Sequence, residues 1–193
     1  MSIEQVNQRI ESIKEKKIRN IAKFQLLTAC RISEAVGKYA IKKDDMAFTE
    51  YKGSKLVLFK LKTAKRDGVE RIIALPLQSK WIPELVEYFQ KTKRKIVFDY
   101  SPRSVERHFS EAFKGLTYSI ERYSPQKKVN VARHENQIST HGLRHLRLSE
   151  LINHYGFDDI DLSIYAGWKM KGMASRYVTG QWGRYVDKLL VKA

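Results

Sequence analysis

Residues 56–75 read LVLFKLKTAKRDGVERIIAL, and the fold class follows from what surrounds them. Two apolar runs, at 56–61 and 71–75, flank a basic segment in which Asp67-Gly68 supplies a turn. A shorter apolar run at 46–48 precedes them. Together the three runs predict a small three-stranded antiparallel sheet with a basic hairpin tip.

Helical periodicity surrounds this sheet on both sides. Ile3, Val6, Ile10 and Ile13 recur at spacings of three and four, which predicts an N-terminal amphipathic helix. The segment 117–138 is polar and basic, so we interpret it as an irregular loop. Helices, then a sheet, then helices indicate a mostly helical α+β fold. Further helices are predicted for 21–27, 32–37 after a break near Arg31, 81–91, 105–113, 139–155, 158–166, a short stretch ending at Tyr177, and 182–191.

The charge balance favours a polyanionic partner. The chain has 37 Lys and Arg against 21 Asp and Glu, a net charge of +16. Since each cation near a phosphate releases a condensed counterion, nucleic acid is the leading partner and an anionic membrane surface the second. No stretch approaches the roughly 18 apolar residues of a membrane span. Cys30 is the single cysteine, which excludes a disulfide framework and predicts a cytoplasmic protein.

Two pairs of residues suit the binding of a phosphate. His141 and Arg144 lie three apart at the start of a predicted helix, so both side chains fall on one face. They could combine a proton-transfer group with a guanidinium fork for phosphate oxygens. Arg31 lies in a semi-apolar segment and needs a partner, which Glu34 could supply. Taken alone, each pair also has a plain structural interpretation as a helix cap or an ion pair.

A candidate nucleophile lies near the C-terminus. Tyr177 follows Trp168 by nine positions (177 − 168 = 9), after the sequence AGW at 166–168. A tyrosine can attack phosphorus if its hydroxyl proton is removed and the developing charge is stabilised. The chain has ten tyrosines, most of which must belong to the core or the surface. Tyr177 therefore becomes a strong candidate only in combination with the other motifs.

In combination, these motifs resemble the tyrosine recombinase (phage integrase) family. Residues 28–34, TACRISE, resemble its first arginine box, T-G-x-R-x-S-E. Residues 140–145, THGLRH, resemble its second box, H-x-L-R-H, and the AGW before Tyr177 resembles its C-terminal motif. Residues 62–65, KTAK, resemble the K-T-x-K turn of the hairpin between the boxes. The resemblance covers residues 15–180 and implies the recombinase catalytic fold.

The resemblance also implies a mechanism. Tyr177 would attack the scissile phosphate of DNA, forming a 3′-phosphotyrosyl bond and releasing a 5′-hydroxyl. Arg31 and Arg144 would hold the non-bridging oxygens, and His141 would assist proton transfer. Lys62 would protonate the leaving 5′ oxygen. Rejoining would need neither ATP nor a metal, so no cofactor is expected.

Supporting roles follow from the same resemblance. Trp168 would donate a hydrogen bond from its indole N–H, and Glu34 would orient Arg31. The expected partner is double-stranded DNA, on which the protein would form a homo-oligomer, a dimer or a tetramer, and no membrane is involved. Five basic residues are expected to contact the DNA: Lys65, Arg66, Lys127, Lys128 and Arg133.

Some positions depart from the family pattern or leave a choice open. Ala29 and Cys30 stand where glycine and a small residue are usual. Lys65 is the alternative to Lys62, and Tyr185 is the second candidate nucleophile, although its spacing from the AGW motif is too long. His141 and His145 have the i, i+4 spacing of metal ligands, but the sequence shows no convincing third ligand for zinc.

The domain organisation and two alternative functions complete the expectations. About 30 residues precede Arg31, so residues 1–193 are expected to form a single catalytic domain without the family's usual N-terminal core-binding domain. One alternative function is a non-catalytic nucleic-acid-binding module of the same fold. The other is relaxation of DNA in the manner of a type IB topoisomerase.

Overall fold

The computed structural model describes residues 2–64, 68–118, 121–124, 129–132, 136–168 and 182–191. This part of the chain forms eight α-helices, a three-stranded sheet and two short two-stranded sheets. The helices are α1 (Ile3–Glu11), α2 (Lys16–Thr28), α3 (Ile32–Ala35), α4 (Ile82–Lys91), α5 (Pro102–Ala112), α6 (Thr140–Asn153), α7 (Asp159–Ala166) and α8 (Gly183–Leu190). The strands are β1 (Met46–Tyr51), β2 (Ser54–Thr63), β3 (Val69–Pro76), β4 (Thr117–Tyr118), β5 (Glu121–Ser124), β6 (Val129–Ala132) and β7 (Asn136–Gln137).

Local sequence signals explain where the helices begin. Ser2 caps α1 through a capping box with Gln5, and Asp158 caps α7 through a capping box with Asp161. Ser101 accepts the N–H of Ser104 at the start of α5. These side chains satisfy backbone donors that a helix cannot pair internally, so the helix starts are encoded locally.

The main sheet has the strand order β1-β2-β3, and both pairs are antiparallel. In the pairing of β2 with β3, Phe59 lies opposite Ile73 and Leu61 lies opposite Arg71. Leu61 is buried, and residues directly opposite one another project from the same face of a sheet. The register therefore places an arginine on the face that packs against the helices.

Helix α2 forms the centre of the core. Most of its residues are buried, including the polar side chains of Lys23 and Gln25. Phe24 packs its ring against those of Phe59, Phe89 and Phe98, which come from β2, α4 and the segment before α5. Because α2 leads directly into the first arginine box, a largely buried helix positions that arginine.

Helix α8 packs on its own chain. Tyr185 is fully buried, and its hydroxyl accepts the N–H of Ala74 at 3.1 Å. Arg184 binds Asp158 at 2.6 Å and Asp161 at 2.8 Å, which ties α8 to the start of α7. Helix α8 therefore docks on the core of its own chain.

The predicted α+β class and three-stranded sheet are confirmed, as are the helices that fall within the described ranges. The loop predicted for 117–138 is wrong, because β4 pairs with β7 and β5 pairs with β6. We call these two short two-stranded sheets together the ribbon. The short helix predicted to end at Tyr177 lies outside the described residues. Within the described ranges, no helix is long and apolar enough to cross a membrane.

Candidate active site

The turn between α2 and α3 presents the first arginine. Ala29 ends α2 in the left-handed region, with φ 47° and ψ 29°, and Arg31 follows in an extended conformation. Glycine reaches the left-handed region without the steric cost that a Cβ imposes. Ala29 therefore adopts the conformation that explains why a glycine is usual at this position of the family pattern. The neighbouring Cys30 is buried, and burial followed by the charge of Glu34 raises the pKa of its thiol to about 12.

Glu34 links three parts of the site. Its carboxylate is fully buried and accepts the Arg31 guanidinium at 3.0 Å and the Arg31 backbone N–H at 3.1 Å. It also accepts the N–H of Ala64, at the end of β2, at 3.2 Å and Nη2 of Arg71 at 3.0 Å. Burial alone would raise the pKa of Glu34, but Arg71 and these hydrogen bonds outweigh it and lower the pKa. Four donors thus use about all the acceptor sites of one ionised carboxylate.

Arg71 is a site residue that the sequence motifs did not indicate. The sequence predicts only that it belongs to a strand, and the structure places it on the core face of β3 with its side chain almost completely buried. Besides Glu34, it donates through Nη1 to the carbonyl of Tyr165, near the end of α7. A second unpredicted residue, Gln25, donates to the carbonyls of Cys30 at 3.2 Å and Thr140 at 2.8 Å. Both residues join segments that are far apart in sequence.

Arg144 brings the second box to the first. It is buried in the first turns of α6 and donates through Nη1 to the carbonyl of Ala29 and through Nη2 to that of Ala166 at 3.1 Å. Burial, followed by repulsion from Arg71 and Arg31, lowers the pKa of Arg144 to about 10. The group remains charged at neutral pH, but its burial and the neighbouring arginines disfavour that charge.

The cluster as a whole carries excess positive charge. Arg31 and Arg71 pair with Glu34, and Arg144 interacts with it electrostatically. Counted over the described residues of this cluster, three guanidinium groups face one carboxylate, which leaves two positive charges uncompensated (3 − 1 = 2). Arg31 is the outermost, with 19% of its side chain exposed. Buried charges are stable only when they are paired. The arrangement is therefore suited to an anion that approaches from the side of Arg31.

The histidines of the second box lie on the same helix. The side chain of His141 is exposed, and its ring lies 4.8 Å from that of His145 in an edge-to-face arrangement. The Tyr118 ring packs over His145 at 6.2 Å and against the Cα of Gly142, where an added Cβ would lie 2.9 Å from a ring carbon. The base of the ribbon therefore packs beside the predicted proton-transfer group.

Gly167 and Trp168 lie at the end of α7. Gly167 terminates the helix in the left-handed region at φ 68°. A Cβ at Gly167 would lie 2.7 Å from Cδ of Arg71 and 3.0 Å from Oγ1 of Thr63. Trp168 follows with 42% of its surface exposed and its backbone N–H bound to the carbonyl of Ser163. The glycine of the AGW motif is therefore required by close packing against the arginine cluster.

We expect Gly167→Ala to lower the free energy of unfolding by about 2–4 kcal/mol, from left-handed strain plus overpacking. Gly156→Ala is the matched control, since Gly156 also has φ 68° but a Cβ there meets nothing within 4 Å. The control should lose only the strain, about 1–2 kcal/mol. Urea unfolding of both variants measures the difference. If both variants lose the same free energy of unfolding, the close contact between Gly167 and Arg71 does not contribute to the cost of the Gly167→Ala substitution.

Lys62 lies in β2 opposite Glu70 of β3 and is half-buried. Its neighbours Leu61 and Thr63 are buried. Successive strand residues point to opposite faces, so Lys62 points away from the face that carries Arg71. The structure thus does not group Lys62 with the arginines, and its role as the general acid stays a prediction.

The described tyrosines include the second candidate nucleophile. Tyr185 is fully buried, its hydroxyl is bound by Ala74 and Ile72, and burial, followed by the nearby Tyr165, raises its pKa. These properties describe a core residue rather than a nucleophile. The first candidate, Tyr177, lies outside the described residues, as do Lys65, Arg66, Lys127, Lys128 and Arg133.

Comparison with known proteins agrees with this geometry. Residues 1–182 match the phage integrase family. No curated protein and no solved structure matches the chain significantly. The match covers most of the sequence, including both arginine boxes and the position of Tyr177. The chain therefore belongs to the phage integrase family, the tyrosine recombinases that break and rejoin DNA.

Proposed function

We propose that the protein is the catalytic domain of a site-specific DNA recombinase that uses Tyr177 as its nucleophile. The observation that carries the proposal is the uncompensated positive charge of the arginine cluster. A phosphodiester would supply the missing anion to Arg31 and Arg144, and the attack on phosphorus would place further negative charge on the oxygens that they bind. Donors positioned in advance where charge develops are usually the largest contribution to catalysis.

The two arginines are suited to hold the non-bridging oxygens. A guanidinium carries five N–H donors, and the two carbonyl contacts of Arg144 use only two of them. Arg31 is held by Glu34 but is partly exposed, so it can bind a phosphate without leaving its partner. In this proposal both guanidinium groups are already oriented before DNA arrives.

Proton transfer falls to residues around this cluster. The hydroxyl of Tyr177 attacks the scissile phosphate, the P–O5′ bond breaks, and a 3′-phosphotyrosyl bond replaces it. His141 assists the loss of the tyrosine proton, Trp168 donates a hydrogen bond to the phosphate, and Lys62 gives a proton to the leaving 5′ oxygen. One phosphate ester replaces another, so rejoining by the 5′-hydroxyl requires no ATP. The guanidinium groups supply the positive charge, so the step requires no metal.

The remaining basic residues would bind the DNA around the cleavage site. In the sequence, Lys65 and Arg66 follow β2, Lys127 and Lys128 precede β6, and Arg133 follows β6. A two-stranded ribbon is an element that the major groove of DNA admits, and the base of this ribbon packs on α6. Strand exchange joins two duplexes, so we propose a homo-oligomer, a dimer or a tetramer, on the DNA.

The test is covalent trapping on a pool of nicked duplexes of random sequence. Attack near a nick releases a short fragment, which diffuses away and leaves the protein attached to the DNA. We expect an adduct that withstands denaturation and that maps by mass spectrometry to the peptide containing Tyr177. Binding without an adduct, unchanged when Arg31 and Arg144 are both replaced by alanine, would instead favour a binding module. Relaxation of supercoiled plasmid without site preference would favour a topoisomerase.

We expect Lys62→Ala to slow adduct formation on ordinary DNA by about 10²–10⁴-fold, the usual contribution of a general acid. On a substrate with sulfur as the bridging 5′ atom, the variant should regain most of its rate. A thiol has a pKa of about 8.5 and water one of about 15.7, so a thiolate leaves without a proton. Lys65→Ala, treated in parallel, decides between the two lysines. Rescue of Lys65→Ala alone would move the role to Lys65.

A further inference from the structure

Arg71 connects three segments of the proposed active site. Its Nη2 binds Glu34 at 3.0 Å, and its Nη1 donates to the carbonyl of Tyr165. Its Cδ lies where a Cβ on Gly167 would be only 2.7 Å away. Among the described residues, the buried Nε of Arg71 has no hydrogen-bond partner. A buried guanidinium is costly unless it is paired, and here the pairing is with Glu34.

We propose that Arg71 is a positioning residue: it fixes the Glu34 carboxylate, which in turn holds the Arg31 guanidinium ready for the phosphate. This inference rests on the proposed function, since it assigns Arg71 a role in the same reaction. Arg71 does not need to touch DNA for this role. Its side chain is almost completely buried, whereas that of Arg31 is 19% exposed.

The electrostatics of Glu34 explain why a second cation is needed. Arg31 faces the carboxylate from the turn before α3, Arg71 from β3 and Arg144 from α6, and the Cys30 thiol also lies within its field. Burial acts to raise the pKa of Glu34, and Arg71 is the largest opposing influence. Removing Arg71 therefore raises this pKa. A protonated Glu34 has no negative charge to attract Arg31. Without Arg71, the ion pair between Glu34 and Arg31 is therefore lost as the pH falls.

The test compares wild type with Arg71→Met and Arg71→Lys. In Arg71→Met we expect adduct formation on the random nicked pool to fall about 100-fold, the effect of a small misplacement of a catalytic group. The rate of adduct formation in Arg71→Met should fall further as the pH drops below the raised pKa of Glu34. The wild-type rate should show no such decrease over the same pH range. Arg71→Lys should restore the flat profile in part, because it retains the charge and loses the fork. If Arg71 acts through Glu34, the double variant Glu34→Gln/Arg71→Met should form the adduct at nearly the same rate as Glu34→Gln alone.

A second readout needs no DNA. The Glu34 carboxyl ¹³C signal and the Arg31 Nε–H signal, assigned through Glu34→Gln and Arg31→Lys, should titrate at higher pH in Arg71→Met than in wild type. Lys23→Met is the control, since Lys23 is also buried and pairs with Glu11 and Glu84, and its loss should leave both titrations unchanged. Unchanged titrations in Arg71→Met would overturn the positioning role. A wild type that forms no adduct would overturn the proposed function, and the two titrations would still decide the role of Arg71.

Discussion

Tyr177→Phe should abolish the covalent protein–DNA complex, while the protein folds and binds DNA as before. The substitution removes a single oxygen atom, and that oxygen is the one that would bond to phosphorus, so no other side chain can substitute for it. The position lies nine residues after Trp168 and within the part of the chain that matches the phage integrase family. The measurement is the fraction of DNA that stays attached after denaturation.

Tyr185→Phe is the matched control for this experiment. The Tyr185 hydroxyl binds the backbone at Ala74 and Ile72, so its removal should reduce stability by about 1–3 kcal/mol, because it leaves a buried N–H unpaired. The amount of adduct formed per folded molecule should match that of wild type. An adduct that persists in Tyr177→Phe and disappears in Tyr185→Phe would reverse the assignment of the nucleophile.

Arg144→Lys should slow adduct formation by about 10²–10³-fold, the usual effect of losing one aimed donor. Lysine keeps the charge, but it cannot reach the carbonyls of Ala29 and Ala166 and a phosphate oxygen at the same time, because it lacks the planar fork. Equilibrium binding of DNA should change much less than the rate. Single-turnover kinetics with saturating protein separates the two effects.

Arg147→Lys provides the control for Arg144→Lys. Arg147 lies one turn further along α6, is also buried, and pairs with Glu150 at 2.6 Å. Its contacts belong to the packing of α6, so the variant should lose stability without a change in the single-turnover rate. A comparable loss of rate in both variants would indicate a general disturbance of α6 rather than a direct role for Arg144.

The motifs point to Arg31, Glu34 and Arg144, which the structure brings together, because these residues occupy fixed positions in local structure. The helix start at Thr140 places His141 and Arg144 within the first turns of α6, and the turn after α2 places Arg31 beside Glu34. Such relations span three or four residues and can be read from the sequence. Ala29 departs from the usual glycine, and the fold is nevertheless kept because alanine accepts the left-handed region at a moderate energetic cost.

Arg71 could not be recognised because its role depends on long-range register. In the sequence it opens an apolar strand, where an arginine is usually solvent-exposed. Only the pairing of Leu61 with Arg71 shows that it faces the helices, and only the fold brings Glu34 and Tyr165 to it. The register of two strands and the packing of α7 decide this contact, and neither can be read from a short motif.

The strands of the ribbon are hard to predict from the sequence for a different reason. Its strands are two to four residues long and mostly polar, so they lack the long alternation that normally indicates a strand. The alternation of Val129 and Val131 in β6 is the one signal that could have been used. Backbone hydrogen bonds join these strands, and every residue type except proline can make them, so the sequence gives little indication of the pairing.

The two acceptors of the Arg144 guanidinium have a consequence for how this site can diverge among relatives. Both are main-chain carbonyl groups, at Ala29 and Ala166, and every amino acid at these positions would provide the same oxygen. Mutations there can alter side-chain size and backbone strain, but they cannot delete the acceptor. Substitutions at the two positions that bind Arg144 are therefore tolerated as long as the backbone conformation is kept. Selection at these two positions acts on backbone shape and side-chain size, and not on a side-chain hydrogen-bonding group.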